Sequence, residues 1–100
     1  LVASHIKPFR DCAHIYEAID HNNGLLLCRN HDFLFDQGFF CFDEDGTILI
    51  SKEMKQDQAY QLFDGFHLDL FLQTKERLLF LDYHRKHIFK GKALPSDASL

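Results

Sequence analysis

The chain has no tryptophan, no apolar run of membrane-spanning length, no two cysteines spaced C-x-x-C and no excess of positive charge. Each absence removes a class of reading. Without tryptophan, the eleven phenylalanines and the leucines must build the core. A membrane-spanning helix needs about 20 consecutive apolar residues, and no such stretch exists. No basic segment followed by an apolar one opens the chain as a secretory signal would. The expectation is a soluble cytoplasmic protein. Cys12, Cys28 and Cys41 are odd in number and widely spaced, which argues against a disulfide framework or a four-cysteine zinc centre. Cys28 and Cys41 lie in apolar runs and read as small core residues. The net charge of −4 excludes a surface coated in positive potential.

What is present suits one small domain. At 100 residues, 46% hydrophobic and 14% aromatic, the chain can close a compact core. Its charge is unevenly placed. Acids dominate the middle, at Asp43, Glu44, Asp45, Glu53, Asp57, Asp64 and Asp69, whereas Lys75, Arg77, Arg85, Lys86, Lys90 and Lys92 outnumber Glu76 and Asp82 near the end. That end either faces a polyanion or is an ordinary solvated helix face.

In chain order, residues 1–6 read as a strand that starts abruptly, as a fragment of a longer protein would. Pro8 ends it, lacking an amide donor and biasing Lys7 toward extended backbone. Residues 10–22 form a polar connection with modest helical character over 13–19, and His14 and His21 in it read as surface histidines. Asn22-Asn23-Gly24 turns the chain into a second strand over 25–28. The polar Arg29-Asn30 caps a short helix beginning near His31, which Gly38 stops. On that helix Asp32 and Asp36 stand one turn apart on one face, with Phe33, Leu34 and Phe35 supplying the apolar surface. Two such acids suit a hard cation, or are simply a first-turn acid and a solvated residue before a turn.

The sequence then signals a hairpin, with Asp43-Glu44-Asp45-Gly46 between two apolar strands. Its acidic tip lacks the later ligands of a calcium loop and reads as a solvated turn. Residues 51–63 are expected to be partly helical and 67–72 to alternate as a strand. Thr74 opens the strongest helix, with Leu78, Leu79, Phe80, Leu81, Tyr83 and Ile88 inward and Arg77, Asp82, Arg85 and Lys86 outward. Residues 93–100 read as a disordered tail.

Ser4-His5-Ile6-Lys7-Pro8, then Asn23-Gly24-Leu25-Leu26-Leu27, then Asp32-Phe33-Leu34-Phe35-Asp36-Gln37-Gly38 resemble the HNH endonucleases of the ββα-metal fold, in the subgroup reading A-x-H-I-x-P, N-G-L-L-L and L-F-D-x-G found in restriction-type enzymes. The similarity runs on through the acidic hairpin to residues 83–89. It implies an α+β domain over residues 1–92, with a small ββα-metal core, an added β-hairpin and a C-terminal covering helix.

The resemblance implies a metal-dependent endonuclease acting on DNA. His5 takes the position of the general base, a role open to a neutral imidazole near pH 7. Asn23, with Asn22 as fallback, matches the asparagine that orients that histidine through a hydrogen bond. Asp32 lies at the helix ligand position and Asp36 one turn later, with His31 as a competing ligand. Ser4 departs from the family, which often has a metal-binding Asp or His there. Carboxylates in place of the helix imidazole favour Mg²⁺ or Mn²⁺ over Zn²⁺. Lys7, Arg10, Arg29, Lys75, Arg85 and Lys86 are the candidates for phosphate contacts. The partners implied are DNA, a DNA-recognition region preceding Leu1, and in some arrangements a second copy of the chain. Two other classes stay open: a nucleic-acid-binding or structural module that has lost activity, for which Ser4 speaks, and a small-molecule phosphoesterase.

Overall fold

Residues 2–5 and 24–27 close the first structural unit. In the computed structural model, which describes residues 1–54 and 67–91, β1 (Val2–His5) pairs antiparallel with β2 (Gly24–Leu27), Ser4 opposite Leu25 and His5 opposite Gly24. Alternation along the two strands turns Ser4, Leu25 and Leu27 inward and leaves Ala3, His5 and Leu26 outside. The 18-residue connection between them carries a short helix, α1 (Ile15–Ile19), flanked by 3-10 turns at Phe9–Asp11 and His21–Asn23.

The chain leaves β2 directly into α2 (Arg29–Asp36), two residues earlier than the polar pair Arg29-Asn30 suggested. Cys28 is the cap. Its sulfur accepts the His31 amide at 3.5 Å, so this thiol is exposed at a helix end, which corrects its reading as a core residue. Cys41 is buried as expected. On α2, Phe35 is fully buried, Leu34 packs at the edge of the core and Phe33 faces water. Gly38 ends the helix at φ +81, and a Cβ there would lie 2.1 Å from the Ile88 carbonyl oxygen, so both its conformation and its contact require glycine.

A second antiparallel pair follows, β3 (Phe40–Phe42) with β4 (Ile48–Ile50), turning at Gly46. At its tip Asp43 accepts the amides of Asp45 and Thr47, which satisfies the turn from within. Of the strand expected over 67–72, only His67 pairs, in an isolated bridge to Thr47, and Leu70–Leu72 is a 3-10 turn. The amides of Leu72 and Gln73 bond back to the carbonyls of Asp69 and Leu70 and are unavailable to a sheet. Of the helix expected over 51–63, the described residues show only Ser51 bonded to Phe39 and a turn over 52–54; residues 55–63, and the tail over 93–100, lie outside the described residues.

The longest helix, α3 (Lys75–His87), is capped by the Thr74 hydroxyl, which accepts the Arg77 amide at 3.1 Å. Its buried residues are Leu81, His84 and, against expectation, Arg77, while Leu78 and Phe80 pack against the core as expected. The guanidinium is drawn in because it donates to three backbone carbonyls, those of Gly24, Leu72 and His21. Leu79, expected inward, is exposed. The core that results joins Ile6, just after β1, and Leu25 and Leu27 of β2 with Phe35, Phe40, Phe42, Met54, Leu68 and Leu81. No helix among the described residues is long and apolar enough to cross a membrane.

His84 ties α3 to α2. Its Nε2 donates to the Phe35 carbonyl at 2.8 Å while the ring stacks on Phe35 at 3.9 Å, nearly parallel. Burial pushes its pKa down to about 4, so the folded protein holds it neutral. Unfolded histidine takes up a proton near pH 6.5, so stability is full above that pH and falls as pH drops toward 4. The loss attributable to this one residue is on the order of 3 kcal/mol. Denaturant titrations between pH 7 and 4 should therefore give a flatter pH dependence for His84→Phe than for the native chain; equal slopes would mean that His84 is not held neutral.

Candidate active site

His5 stands at the end of β1, on the outer side of the hairpin, where strand alternation must place it if Ser4 points inward. Its Nε2 lies 2.8 Å from the Ala18 carbonyl oxygen. A carbonyl only accepts, so Nε2 carries the proton and the neutral ring presents Nδ1 as its basic nitrogen. Ala18 is the buried residue of α1, and its position depends on how the connection is folded.

That folding is organised by Asn23, which is 1% exposed. Its Oδ1 accepts the Lys7 amide at 2.7 Å, and its Nδ2 donates to the carbonyls of Lys7 at 3.2 Å and Glu17 at 3.1 Å. The amide group thus bonds both sides of Lys7 and the residue next to Ala18. The resemblance assigned Asn23 a hydrogen bond to the histidine; the bonds it makes go instead to the Cys12 sulfur and to the backbone that sets the histidine's acceptor. Asn22 serves elsewhere, accepting the Thr74 hydroxyl at 2.7 Å.

Asp32 and Asp36 lie on the face of α2 turned toward β1. Ser4 donates its hydroxyl proton to Asp32 Oδ1, which leaves Asp32 its other oxygen. Ser4, His5, Asp32 and Asp36 line one cleft of about 470 Å³, together with Pro8, Phe9 and Arg10. His31 points away from it: Nδ1 meets Cys28 Sγ at 2.8 Å and the ring lies edge-on to Phe40. The hydrogen bond from the His31 amide, reinforced by its imidazole, lowers the Cys28 pKa. Among the described residues no three His, Cys, Asp or Glu side chains converge as a complete metal cage. Two carboxylates beside a space open to phosphate still fit a Mg²⁺-type ion, which commonly takes one or two protein carboxylates and completes its shell with water and substrate oxygens.

The candidate phosphate contacts separate into groups. Arg10 is in the cleft, and Arg29 is exposed at the start of α2. Lys7 is ion-paired to Glu17 at 3.0 Å, a bond that raises the lysine pKa and lowers the glutamate's, and its ammonium lies over the Tyr83 ring. Arg85 donates to the Phe42 carbonyl and to Asp82, and Lys86 pairs with Asp82. Lys75 and Arg85 line a different groove, with Leu78 and Leu79. Sequence reasoning missed the Ala18 carbonyl, which has no side-chain signature, and Phe9, whose signal was an apolar residue just after Pro8 in an otherwise polar connection.

A family model described as HNH endonuclease matches residues 1–43, the stretch running from β1 through α2 into β3. The match supports the HNH family and a nuclease-type domain for that stretch, and the small α+β fold with its β1–β2–α2 unit is compatible with an HNH core. No curated protein matches the chain.

Asn23→Ala removes three hydrogen bonds to backbone, and a longer one to the Cys12 sulfur, from a buried position and leaves backbone groups of Lys7 and Glu17 without partners. It should lower stability by about 2–3 kcal/mol, read as a shift in the denaturant midpoint. A change below about 0.5 kcal/mol would show that the connection holds its shape without the amide.

Proposed function

We propose that this domain is a metal-dependent endonuclease that hydrolyses phosphodiester bonds of DNA, as the catalytic part of a restriction-type enzyme. The observation that carries the reading is the shared cleft: a histidine with its tautomer fixed by a backbone carbonyl opens into the same space as two carboxylates one helical turn apart.

The chain's own groups divide the work. His5 Nδ1 takes a proton from water as the water oxygen attacks phosphorus, the bond to the leaving oxygen breaking as the new P–O bond forms. The Ala18 carbonyl holds the imidazole in place before the reaction and stabilises its charged form after it, as an acceptor on the far nitrogen does in general. Asp32 and Asp36 would hold the ion, Mg²⁺ or Mn²⁺ in preference to Zn²⁺, with Ser4 orienting Asp32. The ion when bound supplies polarisation of the scissile phosphate and stabilisation of the leaving oxygen. Arg10, at the cleft, is placed to meet a flanking phosphate.

A second reading, an HNH-fold module that binds nucleic acid without cutting it, is favoured by Ser4, whose hydroxyl is committed to Asp32 where the family often has a further ligand. The two readings differ in one experiment. Supercoiled plasmid is incubated with the chain or with His5→Ala, with Mg²⁺, Mn²⁺, Zn²⁺ or chelator. The nuclease reading expects metal-dependent nicking, lowered at least a hundredfold in the mutant with its circular dichroism unchanged. Retention of DNA without nicking under any ion is the outcome that supports the inactive module, and full activity in the mutant would remove His5 from the chemistry.

A further inference from the structure

Phe9 is 64% exposed, and it is not a core residue that has slipped outward. The turn that carries it is held by hydrogen bonds on both sides of the ring. The Asp11 amide bonds the Pro8 carbonyl at 2.9 Å and the Cys12 amide bonds the Phe9 carbonyl at 3.1 Å. Asn23 bonds both sides of Lys7 immediately upstream, and the Tyr83 hydroxyl donates to Asp11 at 2.9 Å from α3. A rigid turn therefore holds an aromatic ring in water, with its centroid 6.2 Å from the His5 ring, at the wall of the cleft that holds Asp32 and Asp36. Arg10 follows it in the same wall, its side chain 69% exposed and its Nε 3.9 Å from Asp11 Oδ1, a loose contact that leaves most of the guanidinium in water.

An exposed aromatic beside an exposed guanidinium is the chemistry of a base-stacking platform, in which a ring takes the face of a base and a cation takes a phosphate. Base faces are covered in a continuous duplex by the neighbouring pairs. They become available where the strand is single or locally unpaired. We infer that the Phe9–Arg10 turn is such a platform and directs the cleft to single-stranded or locally unpaired DNA, Phe9 stacking on a base that flanks the scissile phosphate and Arg10 pairing with a neighbouring phosphate. The inference rests on the nuclease reading for the reaction but not for the binding. It differs from a duplex-reading surface, which would present donors to groove edges rather than a bare ring.

The test has two arms. In the first, the chain and Phe9→Ala cleave one labelled oligonucleotide as a full duplex and as a duplex with a central unpaired stretch. The native chain should cut the unpaired stretch about tenfold or more faster than the duplex, Phe9→Ala should lose most of that ratio, and Phe9→Trp should keep it. Equal rates on both substrates, or a ratio unmoved in Phe9→Ala, would overturn the platform while leaving the nuclease reading intact. In the second arm His5→Ala, with no metal, is titrated onto a single-stranded oligonucleotide containing 2-aminopurine. Stacking should change the base's fluorescence, and Phe9→Ala in the same background should abolish the change. If no substrate is cut in the first arm, the nuclease reading falls and this arm alone judges the platform: a Phe9-dependent change supports it, and its absence overturns it.

Discussion

A single buried carboxamide sets the geometry on which the candidate chemistry depends. Asn23 sits where the chain re-enters the sheet, and its side chain bonds the backbone at Lys7 and Glu17, in a connection whose Phe9, Ile15, Tyr16 and Ile19 side chains are left exposed rather than buried. Segments of this kind are ordinarily mobile, because they bury too little to offset the entropy of ordering them. Here three hydrogen bonds in a protected position, and an ion pair between Lys7 and Glu17, hold the connection. The Ala18 carbonyl is consequently fixed beneath His5, and the turn at Phe9 is fixed above it.

The acids are held from the opposite direction. Ser4 links β1 to Asp32, so that strand and helix meet at the functional face rather than only through apolar packing. At the far end of α2, His84 bonds the Phe35 carbonyl and Gly38 lies against Ile88, so the last turn is set by α3 and the segment after it. Helix and histidine are thus positioned by separate sets of contacts that share one core. Phe35, Ile6 and Leu25 are buried in that core.

Much of this was legible from residue patterns. Short apolar runs marked both strands of the first pair, Asn-Gly and Asp-Gly marked the turns, and Gly38 marked the end of the short helix. The motifs around His5, Asn23 and Asp32 carried a family resemblance that a family model supports over residues 1–43. What stayed hidden depends on the backbone or on tertiary competition. No pattern says that the Ala18 carbonyl receives His5. Arg77 looks like a solvent-facing cation until three carbonyls at turn ends are seen to need its protons. Cys28 sits in an apolar run, yet the helix begins one residue later and takes its sulfur as a cap. Alternation over 67–72 read as a strand because apolar period alone does not register that the amides there bond back along the chain.

The central claim is that Asp32, oriented by Ser4, and Asp36 form, beside His5, the metal end of a nuclease site. The most direct measurement is titration of Mn²⁺ into the uniformly ¹⁵N-labelled chain, following paramagnetic broadening of each amide. The account predicts that broadening at low Mn²⁺ centres on Ser4, His5, Asp32 and Asp36, and that it moves or vanishes in Asp32→Asn. Broadening centred on Cys28 and His31, or on the acidic hairpin tip at Asp43 and Asp45, would contradict it.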